Sequence, residues 1–111
     1  MEQKSNKQIV LDFYRDVWNA HDTSRVPEYV REDYIQHNPN VAQGRQGLID
    51  FLEGHFFPLK ARHDIQLALQ DGDLVAVYVY VTFSNGARAV VTDIYRLADG
   101  LIAEHWDSVQ K

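Results

Sequence analysis

The chain has 111 residues, 45% hydrophobic and 24% charged, a composition typical of a folded globular protein rather than a disordered one. Its formal net charge of −5 disfavours binding to nucleic acid or to an anionic membrane surface, both of which need clustered positive charge. It contains no cysteine, so disulfide frameworks, thiolate zinc sites and cysteine nucleophiles are excluded.

The same features predict one cytoplasmic domain spanning residues 1–111. No apolar run approaches the roughly 18 residues needed to span a bilayer. The N-terminal residues, Met1 to Asn6, are polar and lack the apolar segment of a secretory signal. We therefore expect no association with membranes.

The first half of the chain has the apolar periodicity of three helices. Ser5 and Gln8 form a capping box at the start of the first helix. A second, shorter helix carries Pro27 in its first turn, where proline is tolerated. The segment from Tyr34 to Asn40 is predicted to be irregular or a short extended piece. A third helix is predicted from Arg45 to Phe56.

After Leu59 the pattern changes from helical to extended. Apolar and polar residues alternate from Ile65 to Leu69, which predicts a half-buried strand. The run from Leu74 to Phe83 is almost continuously β-branched or aromatic and predicts a central strand covered on both faces. Two further strands are predicted, from Ala89 to Leu97 and from Leu101 to Val109. Helices followed by an antiparallel meander indicate an α+β fold with the helices on one face of a curved sheet.

The turn between the last two strands decides which polar side chains share a face, because a one-residue slip moves every side chain to the other face. A two-residue loop of Asp99 and Gly100 would put Asp93 and Asp107 on opposite faces. A three-residue loop that begins one residue earlier, with Gly100 at positive φ, puts Asp93 opposite His105. We favour the longer loop because one face then carries only two aspartates and one histidine among apolar residues.

This polar cluster has two interpretations. Desolvation favours the protonated form of a carboxylic acid and a nearby imidazolium favours the ionised form, so such a cluster suits general acid/base chemistry at neutral pH. A buried aspartate–histidine pair can equally be a satisfied polar network that fixes strand register. The residue types alone leave both interpretations open.

Three segments together resemble the SnoaL-like branch of the NTF2-like superfamily, whose members are related to polyketide cyclases. They are the run from Asp93 to Asp107, the run from Tyr34 to Pro39 followed by Gly44 and Arg45, and the end of the first helix from Trp18 to Asp22. The resemblance implies an NTF2-like cone, in which three N-terminal helices pack on a strongly curved antiparallel sheet around a conical pocket.

The resemblance also implies a chemistry. In the characterised cyclases an acidic residue on the last strand is the general acid/base of an aldol condensation that uses no metal or cofactor, and Asp107 matches that position. The cyclases carry a histidine where this chain has Asp93; in the related ketosteroid isomerases an aspartate there donates a hydrogen bond to the developing oxyanion. We therefore expect a cofactor-free enzyme for aldol cyclisation or isomerisation of a small, partly hydrophobic carbonyl compound, with Asp107, His105 and Asp93 as catalytic residues.

The alternative is a non-catalytic ligand-binding or dimerisation module of the same fold. In either case Tyr34, His37 and Asn38 are expected at the pocket mouth, and Tyr14 and Trp18 in its apolar wall. The five histidines show no paired metal-ligand spacing, so neither a metal nor another cofactor is expected.

The opposite face of the last two strands is predicted to join two copies of the chain. Trp106, Ile94 and Ile102 would form an exposed apolar patch there, and such a patch usually has a partner. We therefore expect a homodimer. The segment from Lys60 to His63 is interpreted as a solvated strand start.

Overall fold

Helical segments precede most of the strands in the computed structural model, which describes residues 4–110. The helical segments are α1 (Asn6–Phe13), continued by a π-helical turn (Tyr14–Trp18); a 3-10 turn (Thr23–Arg25) followed by α2 (Val26–Tyr29); and α3 (Gly44–Phe51), continued by a second π-helical turn (Leu52–Phe56). The strands are β1 (Val30–Gln36), β2 (Arg62–Asp71), β3 (Leu74–Thr82), β4 (Arg88–Ala98) and β5 (Leu101–Gln110). This order confirms the predicted α+β class. Within residues 4–110 no helix is long and apolar enough to cross a membrane.

The strands form one sheet in the order β1-β5-β4-β3-β2. Strands β2 to β5 make the predicted antiparallel meander. Strand β1 pairs with β5 in parallel, so the sheet is mixed rather than antiparallel throughout. A parallel pair needs a long connection, and here the whole of α3 and the meander lies between the two strands in the chain.

The central strand β3 buries one face only. Every second residue is a buried valine: Val75, Val77, Val79 and Val81. Tyr78 and Tyr80 alternate with them and lie on the opposite face, away from the core. The prediction that both faces are covered is wrong, because the helices pack on one face of the sheet. On the other face Leu67 and Leu69 of β2 are 61% and 69% exposed.

Helix α1 begins at its predicted cap, where Ser5 Oγ accepts a hydrogen bond from the backbone N–H of Gln8 at 3.0 Å. In the π-helical turn that follows, the backbone N–H of Asn19 donates to the carbonyl oxygen of Tyr14 at 2.8 Å. Tyr14 and Trp18 are both buried, with stacked rings whose centroids are 5.7 Å apart. The end of α1 thus directs two aromatic side chains toward the covered face of the sheet.

The hairpin between β4 and β5 turns through two residues, Asp99 and Gly100. Both have positive φ, 53° and 80°, as a type I′ turn requires, and Ala98 pairs with Leu101. The predicted three-residue loop is therefore wrong, although Gly100 adopts the positive φ expected of it. Asp-Gly is a preferred pair at such turns, so the sequence did carry a signal for the shorter loop.

A bulge in β5 follows this turn. Leu97 pairs with Ile102, but the preceding residue Arg96 pairs with Glu104. Ala103 is therefore an extra residue in β5, with no partner among the described residues of β4. From this point on, the register is shifted by one residue.

The bulge determines which side chains enter the core. It places Asp93 opposite Asp107, so the predicted pairing of Asp93 with His105 is wrong. The shifted register nevertheless keeps Asp93, His105 and Asp107 on one face, as predicted. Ile102 lies on the inner side of the bulge and is fully buried, so it does not belong to the predicted outer patch.

Gly47 in α3 should be intolerant of any side chain. A Cβ there would lie 2.1 Å from the carbonyl oxygen of Ala42, whereas a Cβ at Gly54 would have no atom within 4 Å. We expect Gly47→Ala to lower the free energy of unfolding by about 1–3 kcal/mol, because backbone must move. The control Gly54→Ala should leave it unchanged or raise it by up to about 1 kcal/mol. Urea denaturation measures both, and equal stabilities would contradict the prediction.

Candidate active site

A cavity of about 110 Å3 lies between the helices and the covered face of the sheet. Its apolar lining residues are Trp18, Val41, Leu48, Phe51, Phe56, Val91 and Val109. Its polar lining residues are Gln36, Asn38, His63, Asp93, His105 and Asp107. An apolar cavity with a few convergent polar groups is the usual form of a small-molecule site, so this cavity is the candidate active site.

Two carboxylates and one imidazole converge on the cavity. Asp93 and His105 are 6% and 5% exposed, and Asp107 is half-buried. Asp93 Oδ1 lies 2.8 Å from His105 Nε2. One nitrogen or oxygen atom from each of the three side chains lies within 4.8 Å of the others. Two carboxylates this close repel each other when both are ionised, so a proton or an imidazolium between them stabilises the cluster.

Two buried tyrosines, Tyr14 and Tyr95, form a chain of hydrogen bonds that ends at Asp93. Tyr14 Oη donates to Asp93 Oδ2 at 2.5 Å and lies 2.6 Å from Tyr95 Oη. Because Tyr14 gives its single hydroxyl hydrogen to Asp93, Tyr95 must donate to Tyr14. Burial and the charge of Asp93 raise the pKa of both phenols well above its ordinary value, so both remain donors at neutral pH. This chain of hydrogen bonds holds the carboxyl group of Asp93 in position.

The side-chain amide of Gln36 has a single orientation that satisfies its neighbours. Its Oε1 accepts from the backbone N–H groups of His37 and Asn38, both at 3.1 Å. Its Nε2 donates to Tyr34 Oη at 2.8 Å. A flipped amide would set Nε2 against two N–H donors. Oε1 is therefore the atom that faces His105 Nδ1, at 3.2 Å.

Gln36 thereby sets the tautomer of His105. An amide oxygen can only accept, so Nδ1 of His105 carries a hydrogen. The other ring nitrogen faces Asp93, and the two groups share one proton, either as an ion pair or as a carboxylic acid that donates to the imidazole. The rings of Tyr34 and Tyr95 stack against the imidazole with centroids 6.4 and 4.6 Å away. One labile proton is thus held at the cavity wall in a fixed position.

Asp107 is held less tightly than the other two groups. The side-chain nitrogen of Asn38 lies 3.5 and 3.3 Å from its two carboxylate oxygens. Charge-assisted hydrogen bonds to a carboxylate are shorter, about 2.7–2.9 Å. Since Asp107 lines the cavity, its lone pairs can accept a proton from a bound molecule.

Residues 10–105 match the model of the SnoaL-like domain. The chain belongs to the SnoaL-like family. This match confirms the resemblance carried by the three sequence segments, and it spans most of the chain, from α1 to the middle of β5. The comparison with curated proteins found no match.

Solved structures share the fold of this SnoaL-like protein. IdmH from Streptomyces antibioticus, a candidate polyketide cyclase, has a TM-score of 0.80 at 20% identity, covering 96% of this chain and 93% of that chain. A candidate ketosteroid isomerase from Kribbella flavida has a TM-score of 0.84 at 20% identity, covering 96% and 78%. An NTF2-like protein of unknown function from Cytophaga hutchinsonii has a TM-score of 0.82 at 16% identity, covering 98% and 93%. These likenesses confirm the NTF2-like cone and show the fold alone.

Several of the predicted site residues of this SnoaL-like protein meet at the cavity. Those that line it are Asp93, His105, Asp107, Asn38 and Trp18. Tyr14 and Tyr34 are buried one layer behind the lining. His37 lies on the outside, where its Nε2 is 2.6 Å from Glu104 Oε2 and its ring stacks on Trp106 with centroids 4.9 Å apart. His37 and Tyr34 therefore do not line the mouth.

Sequence reasoning missed two polar residues of the lining, Gln36 and His63. The interpretation of His63 as solvated is wrong, since it is 6% exposed. The side chain of Asn19 binds the backbone N–H and carbonyl oxygen of His63 at 2.7 and 2.8 Å and so brings the start of β2 under α1. The signal for Gln36 was its position two residues after Tyr34 in an extended run, which places both on one face of a strand.

The cluster of Asp93, His105 and Asp107 also contains the donor types of a metal site. Two nitrogen or oxygen ligands of a tetrahedral zinc ion lie about 3.4 Å apart, and these donor atoms lie within 4.8 Å of one another. To bind His105, an ion would have to replace the proton that Nε2 shares with Asp93. The contact between Nδ1 and Gln36 would fit such a site, because metal-bound histidines are usually oriented by a hydrogen bond from their other ring nitrogen. The predicted absence of a metal therefore stays a prediction.

Burial of His63 should make the fold sensitive to acid. Burial lowers the pKa of His63 to about 4, with Asp93 and Asp64 acting weakly in the opposite sense and His21 in the same sense. Between that value and the ordinary pKa of about 6.5, the unfolded chain binds the proton and the folded chain does not. The contribution of neutral His63 to the free energy of unfolding is therefore complete above about pH 6.5 and is lost as the pH falls toward about 4.

We expect the free energy of unfolding of the parent to fall by about 2 kcal/mol more than that of His63→Phe between about pH 7 and about pH 5. Urea denaturation at the two pH values gives this difference. His55→Gln, at an exposed position, is the matched control and should behave like the parent. Parallel pH profiles of the parent and His63→Phe would show that His63 is not buried in its neutral form.

Proposed function

We propose that this SnoaL-like protein is a cofactor-free acid/base enzyme that removes a proton next to a carbonyl group of a small, partly hydrophobic compound, as in aldol cyclisation or isomerisation. The observation that carries the proposal is the convergence of a loosely held carboxylate and a shared proton on one apolar cavity. Neither the predicted cytoplasmic location nor the predicted homodimer is needed for this chemistry.

Asp107 is assigned the role of base. Its carboxylate lines the cavity and its contacts to Asn38 are long. A base has to come within hydrogen-bond distance of the proton that it takes. Asp107 can do so without first breaking a strong ion pair, whereas Asp93 is already bound by Tyr14 and His105.

Asp93 and His105 are assigned to the developing oxyanion. When the carbon–hydrogen bond breaks, its electron pair moves toward the carbonyl oxygen, and donors placed at that oxygen stabilise the negative charge. Asp93 and His105 hold one proton between them at the cavity wall. Gln36 fixes the ring of His105 and the hydroxyl of Tyr14 fixes the carboxyl group of Asp93. Only the shared proton therefore has to move, from the contact between Asp93 and His105 toward the oxyanion.

The size of the cavity favours a small substrate. An engineered apolar cavity of about 150 Å3 binds benzene, and this cavity measures about 110 Å3. A single ring or a short chain therefore fills it. A larger compound would insert only its reactive end.

Proton exchange in deuterated buffer tests the proposal. We expect the parent to accelerate exchange of the α-protons of at least one of three probes, cyclopentanone, 2-hexanone and methyl acetoacetate, above the buffer rate. Asp107→Asn should lower that acceleration by about a hundred- to ten-thousand-fold. Its melting temperature should stay near that of the parent, because Asp107 is half-buried and makes only long contacts. Addition of EDTA should leave the rate unchanged.

Asp93→Asn is the informative comparison. It removes one partner of a buried pair, so we expect it to lower the free energy of unfolding by about 3–5 kcal/mol as well as the exchange rate. Exchange at the buffer rate for all three probes would argue against the enzyme and favour the ligand-binding alternative. An accelerated rate that is undiminished in Asp107→Asn would overturn the assignment of Asp107 as the base. An activity lost to EDTA would show that the site uses a metal.

The outer face of the sheet favours dimerisation as a second role. Leu69, Ala76, Ile94 and Trp106 are successive partners across β2, β3, β4 and β5, so they form one row on this face. Leu69 is 69% and Ile94 37% exposed. This row differs from the predicted patch, since Ile102 is buried and Trp106 is half-covered by the His37 ring. A contiguous exposed apolar face of this kind usually has a partner, and we propose a second copy of the chain.

Light scattering at micromolar concentration should show a dimer for the parent and a monomer for Leu69→Lys, because a charge on this face would be buried without a partner. Leu59→Lys is the matched control, since Leu59 is exposed but lies in the connection before β2 and is not part of the row on the sheet face. A monomeric parent, or a dimer that survives Leu69→Lys, would contradict the proposal.

A further inference from the structure

The cavity contains two polar groups that the proposed chemistry does not use. Trp18 Nε1 and His63 Nδ1 are buried side-chain atoms without a hydrogen-bond partner among residues 4–110. Both residues line the cavity, and their rings contact each other with centroids 4.7 Å apart. Buried tryptophan N–H groups usually have a partner. Two adjacent exceptions on one cavity wall indicate a place for a ligand atom.

Neither side chain can easily turn away to find a partner elsewhere. The backbone of His63 is bound on both sides by Asn19. Its ring is enclosed by those of Tyr14, Trp18 and Phe56, at centroid distances of 5.9, 4.7 and 5.4 Å. An unsatisfied buried polar group destabilises a fold, because it has given up its hydrogen bonds to water. That penalty is removed when a ligand atom of the right kind occupies the cavity.

The hydrogen-bonding groups of Trp18 and His63 indicate which kind of ligand atom fits between them. The indole nitrogen of Trp18 can only donate, and it carries no charge. His63 is neutral at neutral pH, because burial lowers its pKa to about 4. Its imidazole therefore has one N–H, and the tautomer with the hydrogen on Nδ1 presents that donor at the unpartnered atom. The other polar end of the cavity carries Asp93 and Asp107, which disfavour an anionic ligand by charge repulsion. A neutral oxygen acceptor such as a ketone or ester carbonyl fits all three conditions.

We propose that Trp18 and His63 form a second polar subsite that binds a carbonyl oxygen, and that the natural ligand is a small neutral compound with two carbonyl-type oxygens. One oxygen is bound by Trp18 and His63, and the other lies at Asp93 and His105. This second half rests on the proposed function. Because the cavity measures only about 110 Å3, few carbon atoms separate the two oxygens.

The indole N–H resonance of Trp18 in ¹H–¹⁵N spectra tests the subsite directly in the parent protein. The chain has two tryptophans, and Trp106→Phe assigns the signals. Methyl acetoacetate and 2-hexanone are matched probes, since the second has the same chain length with methylenes in place of the ester carbonyl and the ester oxygen. We expect methyl acetoacetate to shift the Trp18 indole proton downfield and 2-hexanone to leave it nearly unmoved. Equal responses to both probes would overturn the subsite.

Affinities provide a second measurement. Trp18→Phe and His63→Phe should each weaken binding of methyl acetoacetate about fivefold to tenfold, as loss of one hydrogen bond does. Binding of 2-hexanone should change less than twofold, and Trp106→Phe should bind both probes like the parent. Unchanged affinity for methyl acetoacetate in both cavity variants would contradict the proposal, whether or not the variants are less stable.

The two proposals fail in different ways. If the Trp18 resonance responds selectively to methyl acetoacetate but no probe exchanges its protons, the subsite stands and the proposed enzyme does not. If proton exchange depends on Asp107 while the Trp18 resonance does not distinguish the probes, the enzyme stands and the subsite is overturned. Asp107→Asn should retain the Trp18 response, because it leaves both subsite residues unchanged.

Discussion

The candidate site depends on the register between β4 and β5. A two-residue turn alone would place Asp93 and Asp107 on opposite faces, because neighbouring residues of a strand point in opposite directions. The extra residue Ala103 shifts β5 by one position and returns both aspartates to the core side. Bulges are known devices for redirecting side chains near functional sites. Here a single inserted alanine decides whether the cluster exists.

Two acidic groups and a histidine on the core side require compensation, since a buried charge without partners is strongly unfavourable. Part of the compensation comes from other elements. Tyr14, just after α1, donates to Asp93 and accepts from Tyr95 of β4, and Gln36 from β1 binds the histidine. The parallel strand β1 is therefore more than an edge, because it supplies the amide that sets the tautomer of His105.

The cavity walls differ in how well their polar groups are satisfied. Asp93, His105 and Gln36 belong to a network in which each has a partner. Trp18 Nε1 and His63 Nδ1 have no hydrogen-bond partner in the part of the chain that the structure describes. A satisfied network holds donors in position for a reaction, while unsatisfied groups in an apolar wall are suited to recognising a ligand.

The sequence by itself determined the α+β class, the helix start at Ser5, the antiparallel meander and the grouping of Asp93, His105 and Asp107 on one face. These depend on local periodicity, on turn residues and on a family pattern that runs along the chain. The prediction that Asp93 and Asp107 share a face was correct, although it rested on the wrong loop. An extra residue in the turn and an extra residue at Ala103 each shift β5 by one position relative to β4, so both bring the two aspartates to the same face.

Only the tertiary structure decided which groups meet across elements. Nothing in the sequence near His63 shows that Asn19 brings it under α1, and nothing near Gln36 shows that its carbonyl faces His105. The exposure of Leu67 and Leu69 has the same origin: alternation predicts two faces of a strand, but the placement of helices decides which face is covered. Such contacts join residues distant in the chain, and local pattern carries no information about them.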